Sequence, residues 1–162
     1  MGKTLCLYYS ITGNTEKIMR EIASGTGADI AVYTDGFDRS GFFGYIKTCI
    51  DCLRRPPKVS LVPAETDLGN YDRVIIGMPV WAEMPAVTAK GFLSSYAGEL
   101  PDKVYLVVTH MAKTGYEKQI MKLDSLLRTP HTAHLSVCTK DHDWTDEVKA
   151  FTELLNREAE GK

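Results

Sequence analysis

The sequence predicts an α/β protein, a three-layer α/β/α sandwich built on a five-stranded parallel sheet of order 2-1-3-4-5. Three observations lead there. Apolar runs suited to strands fall near residues 3–9, 29–34, 73–78, 103–109 and 133–138, and helix-like segments near 14–25, 42–54, 85–97, 115–127 and 145–158 alternate with them. The first run, Leu5-Cys6-Leu7-Tyr8-Tyr9, is continuously apolar, as in a strand covered on both faces. It then breaks into Ser10-Ile11-Thr12-Gly13-Asn14-Thr15, a small polar turn that leads into a helix.

The first helix places Ile18, Met19 and Ile22 on one face. In the second, Phe42, Ile46, Cys49, Ile50 and Leu53 form an apolar stripe, which predicts a core-facing helix. Cys49 and Cys52 make a lone Cys-x-x-Cys; with no second pair to complete a metal site, they read as structural. Cys6 and Cys138 fall in strands and read as small core residues. The third strand runs into Pro79-Val80-Trp81-Ala82-Glu83-Met84-Pro85, which delivers a large aromatic within a Pro-bracketed loop. The fourth is followed by the polar loop Thr109-His110-Met111-Ala112-Lys113-Thr114-Gly115-Tyr116. His110 reads as a solvent-facing loop residue, with the alternative that its ring donates to a ligand. His131 and His134 bracket the start of the last strand, where an extended backbone would send their rings to opposite faces. They and His142 read as surface or strand-end residues, and no metal site is predicted.

Ligands of open parallel sheets lie above the carboxyl ends of the strands, where the strand order reverses. For this order that point lies between the first and third strands, beside the Ser10–Thr15 turn. Free backbone N–H groups and a positive helix terminus make such a turn an anion site. The loop carries no Lys or Arg and matches neither nucleotide-binding glycine pattern, so it suits a single phosphate monoester better than a triphosphate or a dinucleotide. Hydrogen bonds to a charged acceptor contribute roughly 1.5–3 kcal/mol each, so four or five neutral donors can hold a dianion. The simpler reading is that Thr12 or Asn14 caps the helix and nothing binds.

The 162 residues are 44% hydrophobic and carry a formal charge of −2, which suits one domain spanning 1–162. The charge, with no basic patch or Arg-rich helix, argues against nucleic acid and membrane partners. Met1-Gly2-Lys3-Thr4 runs straight into the first strand, so a cytoplasmic location without a signal peptide is the expectation.

The turn Ser10-x-Thr12-Gly13-Asn14-Thr15 and the stretch Tyr71-Asp72-Arg73-Val74-Ile75-Ile76-Gly77-Met78-Pro79-Val80-Trp81-Ala82 together resemble the flavodoxin family. The resemblance extends to the order of elements along the whole chain and implies a short-chain flavodoxin-like fold that holds FMN non-covalently. It implies that Ser10, Thr12, Gly13, Asn14 and Thr15 take the phosphate, that Pro79, Val80, Trp81 and Ala82 flank the isoalloxazine, and that Thr109, His110 and Gly115 line its other edge. Trp81 or Tyr116 would stack on the ring. The function so implied is FMN-dependent electron transfer with a flavin or ferredoxin-type reductase and acceptor proteins, by a monomer or weak homodimer. An alternative is an FMN-dependent NAD(P)H:quinone-type oxidoreductase acting on a small quinone; a further one is an interaction module that keeps the fold without flavin.

Overall fold

Residues with a continuous apolar run become central strands, and those with a helical stripe close over them. The computed structural model describes residues 2–52, 55–81, 84–113, 116–140 and 143–161, apart from the side chains of Tyr45 and Cys52. The strands are β1 (Thr4–Tyr8), β2 (Asp29–Thr34), β3 (Ser60–Val62), β4 (Arg73–Trp81), β5 (Met84–Pro85), β6 (Lys103–His110) and β7 (Ala133–Cys138). The helices are α1 (Asn14–Thr26), α2 (Gly41–Cys52), α3 (Val87–Tyr96), α4 (Glu117–Leu123), which continues into a 3-10 turn (Asp124–Leu126), and α5 (Thr145–Ala159).

The sheet order is β3-β2-β1-β4-β6-β7. Its five parallel members, β2-β1-β4-β6-β7, reproduce the predicted order. Two short antiparallel strands are additions. Three-residue β3 pairs with the edge strand β2, and β5 folds back on the end of β4 through the pairs Val80–Pro85 and Trp81–Met84. Both hide in Pro-containing segments, where proline argues against a strand. Among the described residues no helix is long and apolar enough to cross a membrane.

Strand side chains alternate between two cores. Leu5, Leu7, Val74, Ile76, Val104 and Leu106 pack on one face with Phe92 of α3 and Ile120 of α4. Cys6, Tyr8, Ile75, Tyr105 and Val107 face the other way, against Ile18, Met19 and Ile22 of α1 and Phe151 and Leu155 of α5. Cys6 is fully buried, which pushes its thiol up to about 12. Cys138 departs from the prediction: at the open end of β7 it is only half-buried, its Sγ 3.7 Å from the Met111 carbonyl oxygen.

The apolar stripe of α2 faces outward, contrary to expectation. Phe42 and Phe43 are 72% and 82% exposed, and Cys49 and Ile50 are exposed as well. The buried face is instead polar: Thr48 and Asp51 close on the guanidinium of buried Arg39, which also pairs with Asp35. Gly44 completes this face, because a Cβ there would lie 2.2 Å from the Arg39 carbonyl carbon. Burial pushes the Asp51 carboxyl up, but hydrogen bonds from Arg39 and Lys47 outweigh it and hold the group below its ordinary value. A buried ion-pair network won over the apolar stripe because an unpaired Arg39 in that position would be far costlier than exposed phenylalanines.

His131 and His134 also depart from the prediction. His131 lies in the turn ahead of β7, where strand alternation does not operate, and the two rings meet with centroids 5.0 Å apart.

Two predictions follow from this packing. Arg39→Met leaves the enclosed Asp35 carboxylate without its countercharge and Asp51 with Lys47 alone; it should cost about 3–5 kcal/mol, and limited proteolysis should then cut within residues 41–52 faster than in the parent. Burial pushes Tyr9 and Tyr105 up to about 12, and Tyr33 well above its ordinary value. Unfolded tyrosines ionise near pH ~10, so the folded chain holds more protons above that, and stability should fall as pH rises from ~10 to ~12. Absorbance at ~295 nm should then register phenolate formation together with loss of far-ultraviolet dichroism.

Candidate functional site

Three loops and one strand end converge where the parallel strand order reverses. The end of β1 is held to β4 by the Tyr9 N–H, which donates to the Gly77 carbonyl oxygen at 3.1 Å. The chain then turns through Ser10, whose hydroxyl oxygen accepts from the Gly13 N–H at 3.1 Å. Gly13 has φ +86, in the left-handed region, and a Cβ there would meet nothing within 4 Å. Gly13 is the N-cap of α1 and makes no side-chain cap hydrogen bond. The cap-only reading of the turn therefore fails on its own terms: neither Thr12 nor Asn14 serves as the N-cap, and the N–H groups of the first helical turn have no intrahelical acceptor.

Thr15 is buried, and its hydroxyl lies 2.7 Å from that of Thr109 at the end of β6. Two hydroxyls in one hydrogen bond leave one proton to donate elsewhere. Thr139, just past β7, ties the same corner together. Its N–H donates to the His110 carbonyl at 2.7 Å, its hydroxyl donates to the same oxygen at 3.2 Å, and it accepts a long 3.5 Å contact from the Asn14 amide.

These groups line a cleft of about 180 Å³. Thr12, Asn14, Thr15, Thr109 and Thr139 make its polar part, and Ile11, Pro79, Val80, Trp81 and Met111 its apolar part. None of these residues carries a formal charge. Lys17, one turn into α1, lies over the ring of Trp144 at 5.2 Å. Trp81 is half-buried and edge-on to Tyr9, with centroids 5.7 Å apart; it lines the cleft and packs against the core that includes Phe92 of α3. Chemically, the arrangement offers neutral donors and apolar side chains within one cleft, which suits an aromatic group with an anionic tail.

Searches against protein-family models and curated proteins find no match. Solved structures do match. A flavoprotein from Lactobacillus acidophilus, crystallised in complex with FMN, is 24% identical, with a TM-score of 0.69 over 92% of this chain and 99% of that one. A putative flavoprotein from Bacteroides eggerthii is 15% identical, with a TM-score of 0.73 over 95% and 98%. The two-electron reduced flavodoxin of Megasphaera elsdenii is 17% identical, with a TM-score of 0.62 over 96% and 99%.

The fold is flavodoxin-like. Within it the structure gathers Thr12, Asn14, Thr15, Pro79, Val80, Trp81, Thr109 and His110 around one cleft, while Ser10 and Gly13 shape the turn behind it. Ala82 and Gly115 lie outside the described residues. His110 lines the cleft but is not solvent-facing. It is buried, its Nδ1 donates to the Ala112 carbonyl at 2.7 Å, and its Nε2 lies 2.9 Å from the Ser136 hydroxyl. A carbonyl can only accept, so Nδ1 carries a proton, while Nε2 and the Ser136 hydroxyl share the second hydrogen bond. Tyr116 is a core residue, buried with its ring 4.8 Å from that of His110, and is not part of the cleft wall.

Sequence reasoning passed over Ile11, Met111 and Thr139. Ile11 and Met111 are apolar residues inside loops valued for their polar neighbours. Thr139 follows the last strand, whose loop the switch-point rule does not single out, although it too leaves a strand's carboxyl end.

The Thr15–Thr109 pair generates a two-variant prediction. Thr109→Val should destabilise by about 1–3 kcal/mol in urea titrations, because the buried Thr15 hydroxyl loses its partner, whereas the double valine variant should recover most of that loss.

Proposed function

We propose that the chain binds one FMN in this cleft and serves as an electron-transfer flavoprotein. The observation that carries the reading is a helix terminus without a side-chain cap beside a cleft lined by uncharged hydroxyls and by apolar side chains together. The donor set fits the cofactor. Neutral hydroxyls and first-turn amides suit a phosphate dianion, and the open space beside Gly13 leaves the backbone accessible to it. Thr12, Asn14 and Thr15 would hold the phosphate, with Ser10 fixing the turn and Thr109 and Thr139 closing the corner. Ile11, Pro79, Val80, Trp81 and Met111 would flank the ring and exclude water from its faces.

When bound, FMN supplies the electron chemistry; the chain supplies position, shielding and polarity. A cleft of about 180 Å³ is smaller than the ~300–1,000 Å³ typical of sites that enclose a ligand of this size. An edge of the cofactor would therefore stay open to a partner, which suits exchange with a flavin or ferredoxin-type reductase and an acceptor protein. The proposal places the protein in the cytoplasm as a monomer or weak homodimer.

A second reading is reduction of small quinones at the expense of NAD(P)H. A groove of about 380 Å³ favours it, lined by Met84, Pro85, Leu123 and Leu126 together with Lys90 and Lys122. It lies along the β4–β5 hairpin whose Trp81 lines the cleft. Steady NADH oxidation dependent on both FMN and a benzoquinone would establish this activity.

The test of the main proposal is a fluorescence titration. FMN should be quenched on binding, riboflavin should bind at least ~tenfold more weakly, and Thr12→Val with Thr15→Val should weaken FMN by a similar factor, about 1.4 kcal/mol. Equal affinity for FMN and riboflavin, or no quenching of FMN, would overturn the assignment.

A further inference from the structure

Away from the cleft, four titratable side chains form one unbroken hydrogen-bonded chain. Asp124, in the 3-10 turn after α4, accepts on Oδ1 from the His131 backbone N–H at 2.9 Å and lies 2.6 Å from the ring Nδ1 of the same residue. His131 Nε2 lies 2.9 Å from His134 Nδ1, and His134 Nε2 lies 2.7 Å from Glu117 Oε2 at the start of α4. The chain runs from an enclosed end to an open one, with the His131 side chain 5% exposed and that of Glu117 63%.

Counting protons decides its chemistry. Three side-chain contacts need three protons. Two neutral imidazoles supply two, and two carboxylates supply none. With Asp124 fixing the His131 proton on Nδ1, His131 Nε2 must accept, so His134 Nδ1 must donate. A neutral His134 would then turn a bare Nε2 toward the Glu117 carboxylate, lone pair against anion. The remaining contact forms only when one further proton is bound. A second extra proton would set His131 Nε2–H against His134 Nδ1–H and break the chain.

We propose that Asp124, His131, His134 and Glu117 are a one-proton clasp that fastens α4 and its 3-10 turn to the start of β7. Among the described residues, the charged groups bonded to the two rings are Asp124 and Glu117. On the neighbouring strand β6, Leu106 stands opposite His134, while Tyr105 turns its hydroxyl to Glu158 on the other face. Lys118, Lys122 and Arg128 lie along the same stretch of chain, and Arg128 pairs with Asp102. The clasp borders the cleft's third loop. Glu117 follows Tyr116, whose ring packs on His110, and Ser136, the partner of His110, lies two residues along β7 from His134, on the same face.

The sign of the pH effect follows from the count. Above pH ~6.5 an unfolded histidine has lost its proton while the clasp keeps one, so the folded chain holds the extra proton and stability falls as pH rises further. The test compares the full-length chain with Glu117→Gln. A glutamine amide donates to a neutral His134 Nε2, so this variant closes the chain without an extra proton. In urea titrations between pH 7 and pH 9, the unfolding constant of the parent should rise by up to ~tenfold per pH unit for as long as the clasp keeps its proton, and this dependence should be absent in Glu117→Gln. Long-range ¹H–¹⁵N spectra of the parent at pH 7 should show His131 protonated on Nδ1 alone and His134 on both nitrogens. Two singly protonated rings, or a pH dependence unchanged in Glu117→Gln, would overturn the proposal. Both readouts are made without cofactor and are independent of FMN binding.

Discussion

The placement of α1 over the β1–β4 pair depends on a side chain that is missing. A Cβ on Gly77 would lie 2.5 Å from Met19 Cγ and 3.1 Å from Tyr8 Cβ. Any other residue there would displace the Met19 side chain from its place between helix and sheet, because closely packed interiors have little slack to absorb a methyl group. The same glycine offers its carbonyl to two donors, the Tyr9 N–H and the Tyr33 hydroxyl at 2.9 Å. Close packing of α1 and the exit direction of β1 are thus set at one residue. Between them they leave only Ser10–Gly13 to reverse the chain, and Gly13 does so by entering the left-handed region. The uncapped terminus of α1 opens on the cleft as a consequence.

This explains which parts of the fold could be read from the residues. Parallel strands buried on two faces advertise themselves as unbroken apolar runs, and β1, β4 and β6 do so. The register that brings Thr15 against Thr109 is a different matter, since it depends on how far along β6 the helix sits. What misled was α2. Its stripe of Phe42, Ile46, Cys49 and Ile50 has the period of a core face, yet the opposite face, Gly44-Thr48-Asp51, has the same period and a stronger claim on the interior. The claimant was Arg39, two residues before the helix, and no periodicity within the helix reveals a partner outside it.

The cleft was legible to a similar extent. Hydroxyl-rich loops at the carboxyl ends of β1 and β6 mark a polar corner by composition alone. His110 shows where composition stops. A histidine in a polar loop looks available for a ligand, but a carbonyl two residues on and a hydroxyl across the sheet engage both its nitrogens. Its position in the wall is structural: it fixes the backbone of the loop that carries Thr109 and Met111. The histidine pair at the start of β7 escaped for the reason that Asp124 and Glu117 approach it from a separate element.

The contrast between the two polar clusters bears on how each responds to pH. The residues lining the cleft include no carboxylate, lysine or arginine, and both ring nitrogens of His110 are committed to partners within the fold. The clasp holds two carboxylates and two imidazoles within hydrogen-bond distance and changes charge by one proton. Both anchor to the same pair of strands, but at different levels: His110 and Thr109 at the carboxyl end of β6, His134 opposite Leu106 in mid-strand. A change at the clasp therefore reaches the cleft only through rigid pieces, α4 with Tyr116 at its head and β7 with Ser136. Each of those ends on His110, so the ring that looked most like a ligand-binding group is better understood as the joint between the two.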